Sequence, residues 1–152
     1  MHMATRTILV MVLIAAVAQP TVAEDWNPSG DTAMACYLEL LVLSGYGRFS
    51  YERAAFLVLG QDGSLACMHW PPTFQYERID YKGGMPANVV AVVHTHPYRS
   101  EHPSAADRAA AKRLRLPFVV VAPTTLSIID AHGATTTLAA GNLWWKKAGF
   151  AQ

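Results

Sequence analysis

Charge is scarce in this chain. Asp, Glu, Lys and Arg make up 15% of its 152 residues, the formal net charge is +1, and the basic residues form no block. Phosphate neutralisation needs clustered Lys and Arg, so a nucleic-acid partner is disfavoured. Long apolar runs are lacking too. The run Ile8–Ala18 has eleven residues, a membrane span needs about twenty, and no other segment is long and apolar enough. Cysteine is limited to Cys36 and Cys67, and neither has the spacing of a metal site. No repeat and no linker divides the chain. What is abundant is hydrophobic material, 52% of residues. That is ample for a buried core in one compact domain and argues against disorder.

Part of this apolar content sits at the N-terminus. Arg6, the run Ile8–Ala18, Gln19-Pro20 and the small residues up to Ala23 read as a secretory signal peptide. Cleavage after Ala23 would start a mature domain 24–152 at Glu24. An uncleaved anchor is the other reading of the run, and no cysteine follows the cleavage site to carry a lipid. The expectation is an exported protein, periplasmic or secreted, with no membrane span in the mature chain. Export makes a Cys36–Cys67 bridge admissible. Two unpaired core thiols fit as well, because the sequence does not give the Cα separation.

The pattern of elements is α/β. Asp31 or Thr32 can cap a largely buried helix running to about Leu43, closed by Gly45 and Gly47. Arg53–Leu59 and Leu65–Trp70 read as strands around the turn Gln61–Ser64. Residues 71–87, with Pro71-Pro72, Gly83-Gly84 and Pro86, form a long irregular connection. Val89–Val93 is a continuous, mostly β-branched run expected of a central strand. Ser104–Arg115 is helical, its alanines allowing close packing on a sheet. Phe118–Val121 is a buried strand, and Leu126–Asp130 with Thr135–Ala139 a second hairpin. Trp144–Lys147 is an amphipathic segment expected to pack on the domain.

At the end of the central run stand His94-Thr95-His96-Pro97. Residues i and i+2 of an extended strand share a face, which places two imidazoles side by side as half of a tetrahedral zinc site. Asp107 can supply a third ligand, leaving one position for water. Ser104-x-x-Asp107 before an Ala-rich run is also a good helix start, with Ser104 as N-cap and Asp107 completing a capping box. The two readings are compatible.

The joint spacing is informative: His-x-His, ten intervening residues, then Asp, with Ser three before it. It resembles the JAMM (MPN-plus) metalloprotease family, also called JAB domains, over about residues 31–140. That family has an upstream Glu, His-x-His, a seven-residue spacer and Ser-x-x-Asp; here the spacer is Pro97–Pro103. The resemblance implies a mixed, curved β-sheet flanked by helices, of JAMM/MPN-like, cytidine-deaminase-like architecture. It also implies a Zn2+ ion, held by His94, His96 and Asp107, and hydrolysis of an amide bond.

Such chemistry also needs a carboxylate beside the attacking water. Of Glu24, Glu39, Glu52, Glu77 and Glu101, the best candidate is Glu52. It precedes a strand, Arg53–Gly60, that looks like the family's glutamate-bearing strand, although Ala55 stands where that family often has Gly and Gly60 falls about one residue late. Glu39, the only charge in a buried-looking helix, is the runner-up, or else a helix-surface carboxylate. By resemblance the Ser104 hydroxyl donates to the developing oxyanion. His102, Tyr98 and Arg99 could contact substrate, or form an ordinary solvated loop; His69 and His132 read as structural.

The family is best known for removing ubiquitin-like modifiers. For an exported chain the expected substrate is a peptide or isopeptide, with cell-wall peptides one class. A non-catalytic interaction module of the same fold and a zinc-binding envelope protein are the rival readings.

Overall fold

In the computed structural model, which describes residues 26–147, the β-branched run of the sequence becomes a strand buried at all seven positions. Elements follow in the order helix α1 (Asp31–Leu43), strands β1 (Ala54–Leu59), β2 (Leu65–His69) and β3 (Val89–Thr95), helix α2 (Ala105–Leu114), strands β4 (Phe118–Val121), β5 (Thr125–Ile129) and β6 (Thr135–Ala140), and the single-turn helix α3 (Trp144–Lys147). The expected signal peptide and its cleavage site lie outside the described residues.

The six strands make one mixed sheet in the order β2-β1-β3-β4-β5-β6. Only β3 and β4 pair in parallel, and α2 is the crossover that joins them. Parallel strands covered on both faces carry continuous apolar sequence, and β4 is accordingly buried at all four positions. The architecture is α/β, as the sequence pattern implied, with a mixed sheet flanked by helices, as the family resemblance implied.

The two faces differ in what covers them. On one, Ala33, Cys36, Tyr37, Leu40 and Leu41 of α1 pack against Ala55, Leu57, Ala91, Val93, Val119 and Val121. A disulfide between Cys36 and Cys67 ties α1 to the edge strand β2, with Cα atoms 5.7 Å apart. This resolves the cysteine question in favour of the bridge. Trp144 closes the same core, its Nε1–H donating to the Ala122 carbonyl at 2.9 Å, so the tail segment packs on the domain. The N-cap of α1 is Gly30, with no side-chain cap, rather than Asp31 or Thr32; Asp31 sits instead in the first turn, where its charge suits the helix dipole.

The other face carries Phe56, Val92, Phe118, Val120 and Ile129 beneath α2. Close packing of the helix alanines on the sheet was expected here. The structure shows it at Ala111, fully buried, and at Ala110, partly buried against the same cluster, whereas Ala105, Ala106 and Ala109 are exposed. Ala106, with the cleft-side surface of Ala110, lines a large cleft between this helix and the sheet.

Candidate metal centre

Sheet register brings the chemistry-bearing residues to one end of this cleft. Ala54 of β1 pairs with His94 of β3. The pairing runs on: Arg53 N–H donates to Thr95 Oγ1 at 2.9 Å, and Thr95 N–H to the Arg53 carbonyl at 2.8 Å. Glu52 therefore lies across from His96, on the same face as both histidines. The parallel neighbour holds the other side, with His94 opposite Val120 and His96 N–H bonded to the Val121 carbonyl at 3.0 Å.

Asp107 arrives from above. Ser104 is the N-cap of α2: its Oγ accepts from Asp107 N–H at 3.1 Å, and Asp107 Oδ2 accepts from Ser104 N–H at 2.7 Å. The capping box and the proposed ligand are thus the same residue. The box fixes the carboxylate rotamer while its oxygens face the imidazoles. Asp107 Oδ1 is 3.1 Å from His94 Nε2 and Oδ2 is 3.4 Å from His96 Nε2; the two Nε2 atoms are 3.1 Å apart.

Those three separations test whether the set suits zinc. With Zn–N near 2.0–2.1 Å and Zn–O near 2.0–2.2 Å, adjacent corners of a tetrahedron lie about 3.3–3.5 Å apart. Three donors already spaced by nearly that edge form one face of such a tetrahedron, so they fit the ion. His96 is oriented for it as well. Its Nδ1 lies 2.5 Å from the Ser100 carbonyl, which can only accept, so the proton is on Nδ1 and the Nε2 lone pair faces the cluster.

Glu52 stands just behind this face. Its Oε1 is 3.9 Å from His96 Nε2. Glu52, His94 and His96 also have ligand atoms within 4.8 Å of one another and are all buried, so two acidic residues compete for the same histidine pair. Asp107 is nearer to both imidazoles, which favours it as the ligand and leaves Glu52 beside the site.

Burial and charge set the protonation states. Burial pushes the Glu52 carboxyl up to about 7, with Asp107 and Glu77 adding to the shift and His94 opposing it. Burial also drives His96 down to about 4, helped by the charge on His94. Burial alone would lower His94 too, but the hydrogen bond and charge of Asp107, with Glu52, carry it above its ordinary value. For Asp107, burial is outweighed by His94 and Ser104, which hold the carboxyl well below the usual range.

The remaining candidates fall elsewhere. Glu39 is on α1, on the opposite side of the sheet, its side chain 59% exposed and 3.3 Å from His69 Nε2; it is a surface carboxylate. Cys67 is adjacent to that pair but is locked in the disulfide and offers no thiolate. Tyr98 and Arg99 do not line the main cleft. Glu77, set aside in the sequence because its segment is irregular, does line it, as do Trp70 and Tyr81. Trp70 ends the expected strand Leu65–Trp70, and no sequence pattern joins it to Glu77 and Tyr81, since the connection 71–87 has no periodicity to place its side chains.

Residues 81–138 match the family model described as prokaryotic homologs of the JAB domain. No curated protein matches the chain. The matched segment holds His94, His96, Ser104 and Asp107 and stops short of Glu52; over it the chain is similar to that family.

Proposed function

We propose that this JAB-like chain is an exported zinc-dependent peptidase or isopeptidase. The observation that carries the reading is the convergence of His94 Nε2, His96 Nε2 and the Asp107 carboxylate at tetrahedral-edge spacing, with a buried carboxylate alongside. His94, His96 and Asp107 would hold the ion. When bound there, zinc supplies Lewis acidity, which makes water acidic near neutral pH and polarises a carbonyl.

The chain's own residues do the rest. Glu52 accepts a proton from the attacking water, whose oxygen adds to the amide carbon. Its burial keeps the carboxyl near neutrality, the range in which one group can take a proton and give it back. As the C–N bond breaks, Glu52 returns that proton to the leaving amine, and the products are a free acid and a free amine. Ser104 Oγ accepts from Asp107 N–H, which leaves its hydroxyl proton free to donate to the carbonyl oxygen as negative charge develops there. The substrate is a peptide or isopeptide. The leader-like N-terminus supports an extracytoplasmic target, with cell-wall peptides as one class.

Metal analysis and turnover together test this. The protein purified from the periplasm or medium should carry one zinc per chain, and His94→Ala or Asp107→Ala should carry none. Glu52→Gln should keep the zinc and lose hydrolysis of a peptide library or murein digest. Purification without zinc would instead support a non-catalytic interaction module. Zinc without hydrolysis of either substrate would support a zinc-binding envelope protein.

A further inference from the structure

The cleft that begins at the histidines runs on well past them. It has a volume of about 840 Å³, in the range of ligand sites, and the metal-ligating cluster fills only one end. Beyond it the sheet floor is aromatic and apolar, while Glu77, Arg78, Asp80 and Arg113 also line the cleft. Phe56, Val92 and Phe118 stand side by side on β1, β3 and β4, one step down the strands from the row that holds His94. Phe118 reaches back to the His94 ring, centroid to centroid 6.1 Å. Trp70 and Tyr81 close the wall: Phe56, Trp70 and Tyr81 lie 4.9–5.0 Å apart as a mutual trio.

An ordinary core would be sealed by large residues on the covering helix. Here α2 offers Ala106 and Ala110 to the cleft, with Leu114 two turns beyond Ala106. Trp70, Tyr81 and Leu114 consequently remain only partly buried. Same-face positions on a strand are about 6.8 Å apart, which is also the two-residue step of an extended peptide. A peptide lying along the sheet with its reacting carbonyl over His94 would set a side chain over the aromatic row within two residues of that carbonyl.

We propose that this end of the cleft is a specificity subsite for one bulky apolar side chain, aromatic by preference, within two residues of the bond that is cut. The inference rests on the amide-hydrolase reading for the identity of that bond. It narrows the substrate class: among peptides and isopeptides, those built only of small and charged residues leave the row unfilled.

The test uses peptides of six residues, blocked at both ends and made of Gly and Ala, with a single Phe walked through each position. Binding to metal-loaded Glu52→Gln is followed by tryptophan fluorescence, with Trp70→Phe identifying the reporting ring. At least one Phe position should bind roughly 10–100-fold more tightly than the Phe-free peptide, as expected for burying one aromatic side chain. Ala110→Phe, which fills the space from the helix side, and Tyr81→Ala, which removes one wall, should each bring that ratio towards one. Two variants keep the result readable if either misfolds. Tyr98→Ala, outside this cleft, should leave the ratio intact.

Equal binding of every peptide would overturn the subsite, as would discrimination that survives Ala110→Phe in a folded protein. Turnover by the zinc-loaded wild type separates the two claims. Phe-selective binding without cleavage leaves the subsite standing and removes the hydrolase; cleavage indifferent to the Phe position does the reverse.

Discussion

At the residue scale, Glu52 is held at a cost to stability that the role proposed for it would explain. Its folded value of about 7 lies above the ordinary 4.5. Between those values the folded state binds more protons than the unfolded one, so this group's contribution falls as pH rises from 4.5 to 7 and stays low above that. Glu52→Gln removes the penalty. The variant without metal should be more stable than wild type by on the order of 2 kcal/mol at pH 8, and nearly equal at pH 4.5, when both are melted in chelator. An advantage that does not grow with pH would mean the carboxyl is not held neutral by burial. On the proposed mechanism activity should move the opposite way, as where a site keeps a destabilised group for its chemistry.

The proposed mechanism gives the Ser104 hydroxyl a second function. As a cap it contributes about 1 kcal/mol; as an oxyanion donor it would be worth about 10²–10³ in kcat. Ser104→Ala should lower the melting temperature by a few degrees yet reduce kcat by at least 10²-fold with zinc retained. A loss of rate no larger than the loss of folded protein would leave only the cap.

At the element scale, strands were the most legible part of the sequence. Val89–Val93 and Phe118–Val121 are β-branched and uninterrupted because both of their faces are covered, and that pattern needs no knowledge of the partner strand. His94 and His96 were legible for the same reason, since a two-residue repeat on a strand fixes a shared face. The alanines of α2 were legible in part: Ala110 and Ala111 meet the sheet core as expected, but alanine permits close approach without enforcing it, and Ala106 lines the cleft instead. Helix capping failed at α1 for a related reason: the expected caps, Asp31 and Thr32, fall inside the first turn, and Gly30 takes the cap in extended backbone without a side-chain bond.

The Cys36–Cys67 bridge belongs to this scale as well. It spans 31 residues and fastens an edge strand, the element with fewest neighbours. Replacing both cysteines with serine should cost about 3–4 kcal/mol by loop-closure entropy. Amide exchange should accelerate first in β2 and α1, with β3 and β4 still protected. Acceleration spread evenly over the sheet would show that the bridge acts on the unfolded chain alone.

At the scale of the whole molecule, the site is where separate parts of the fold are tied together. Glu52 comes from the start of the β1–β2 hairpin, the histidines from the sheet centre and Asp107 from the crossover helix, so an ion held by the histidines and Asp107 would tie the sheet centre to the helix, with Glu52 alongside. Zinc at a hundred times its dissociation constant should stabilise the folded protein by about 3 kcal/mol, and chelator should remove that gain. The dependence on pH follows from the imidazoles, which must be neutral to bind. Asp107 is ionised throughout the accessible range. His94 is raised above 6.5 and so carries a proton below that pH in the metal-free protein, while His96 gains one only near 4. Acidification from 6.5 to 4 should therefore weaken zinc about tenfold per pH unit, one proton being displaced, and the slope should steepen towards two below pH 4. Calorimetric titration with zinc at several pH values, in two buffers of different protonation enthalpy, counts those protons directly. A proton count near zero between pH 4 and 6.5 would show that His94 is not a ligand, and with it the tetrahedral face that the whole reading rests on would be lost.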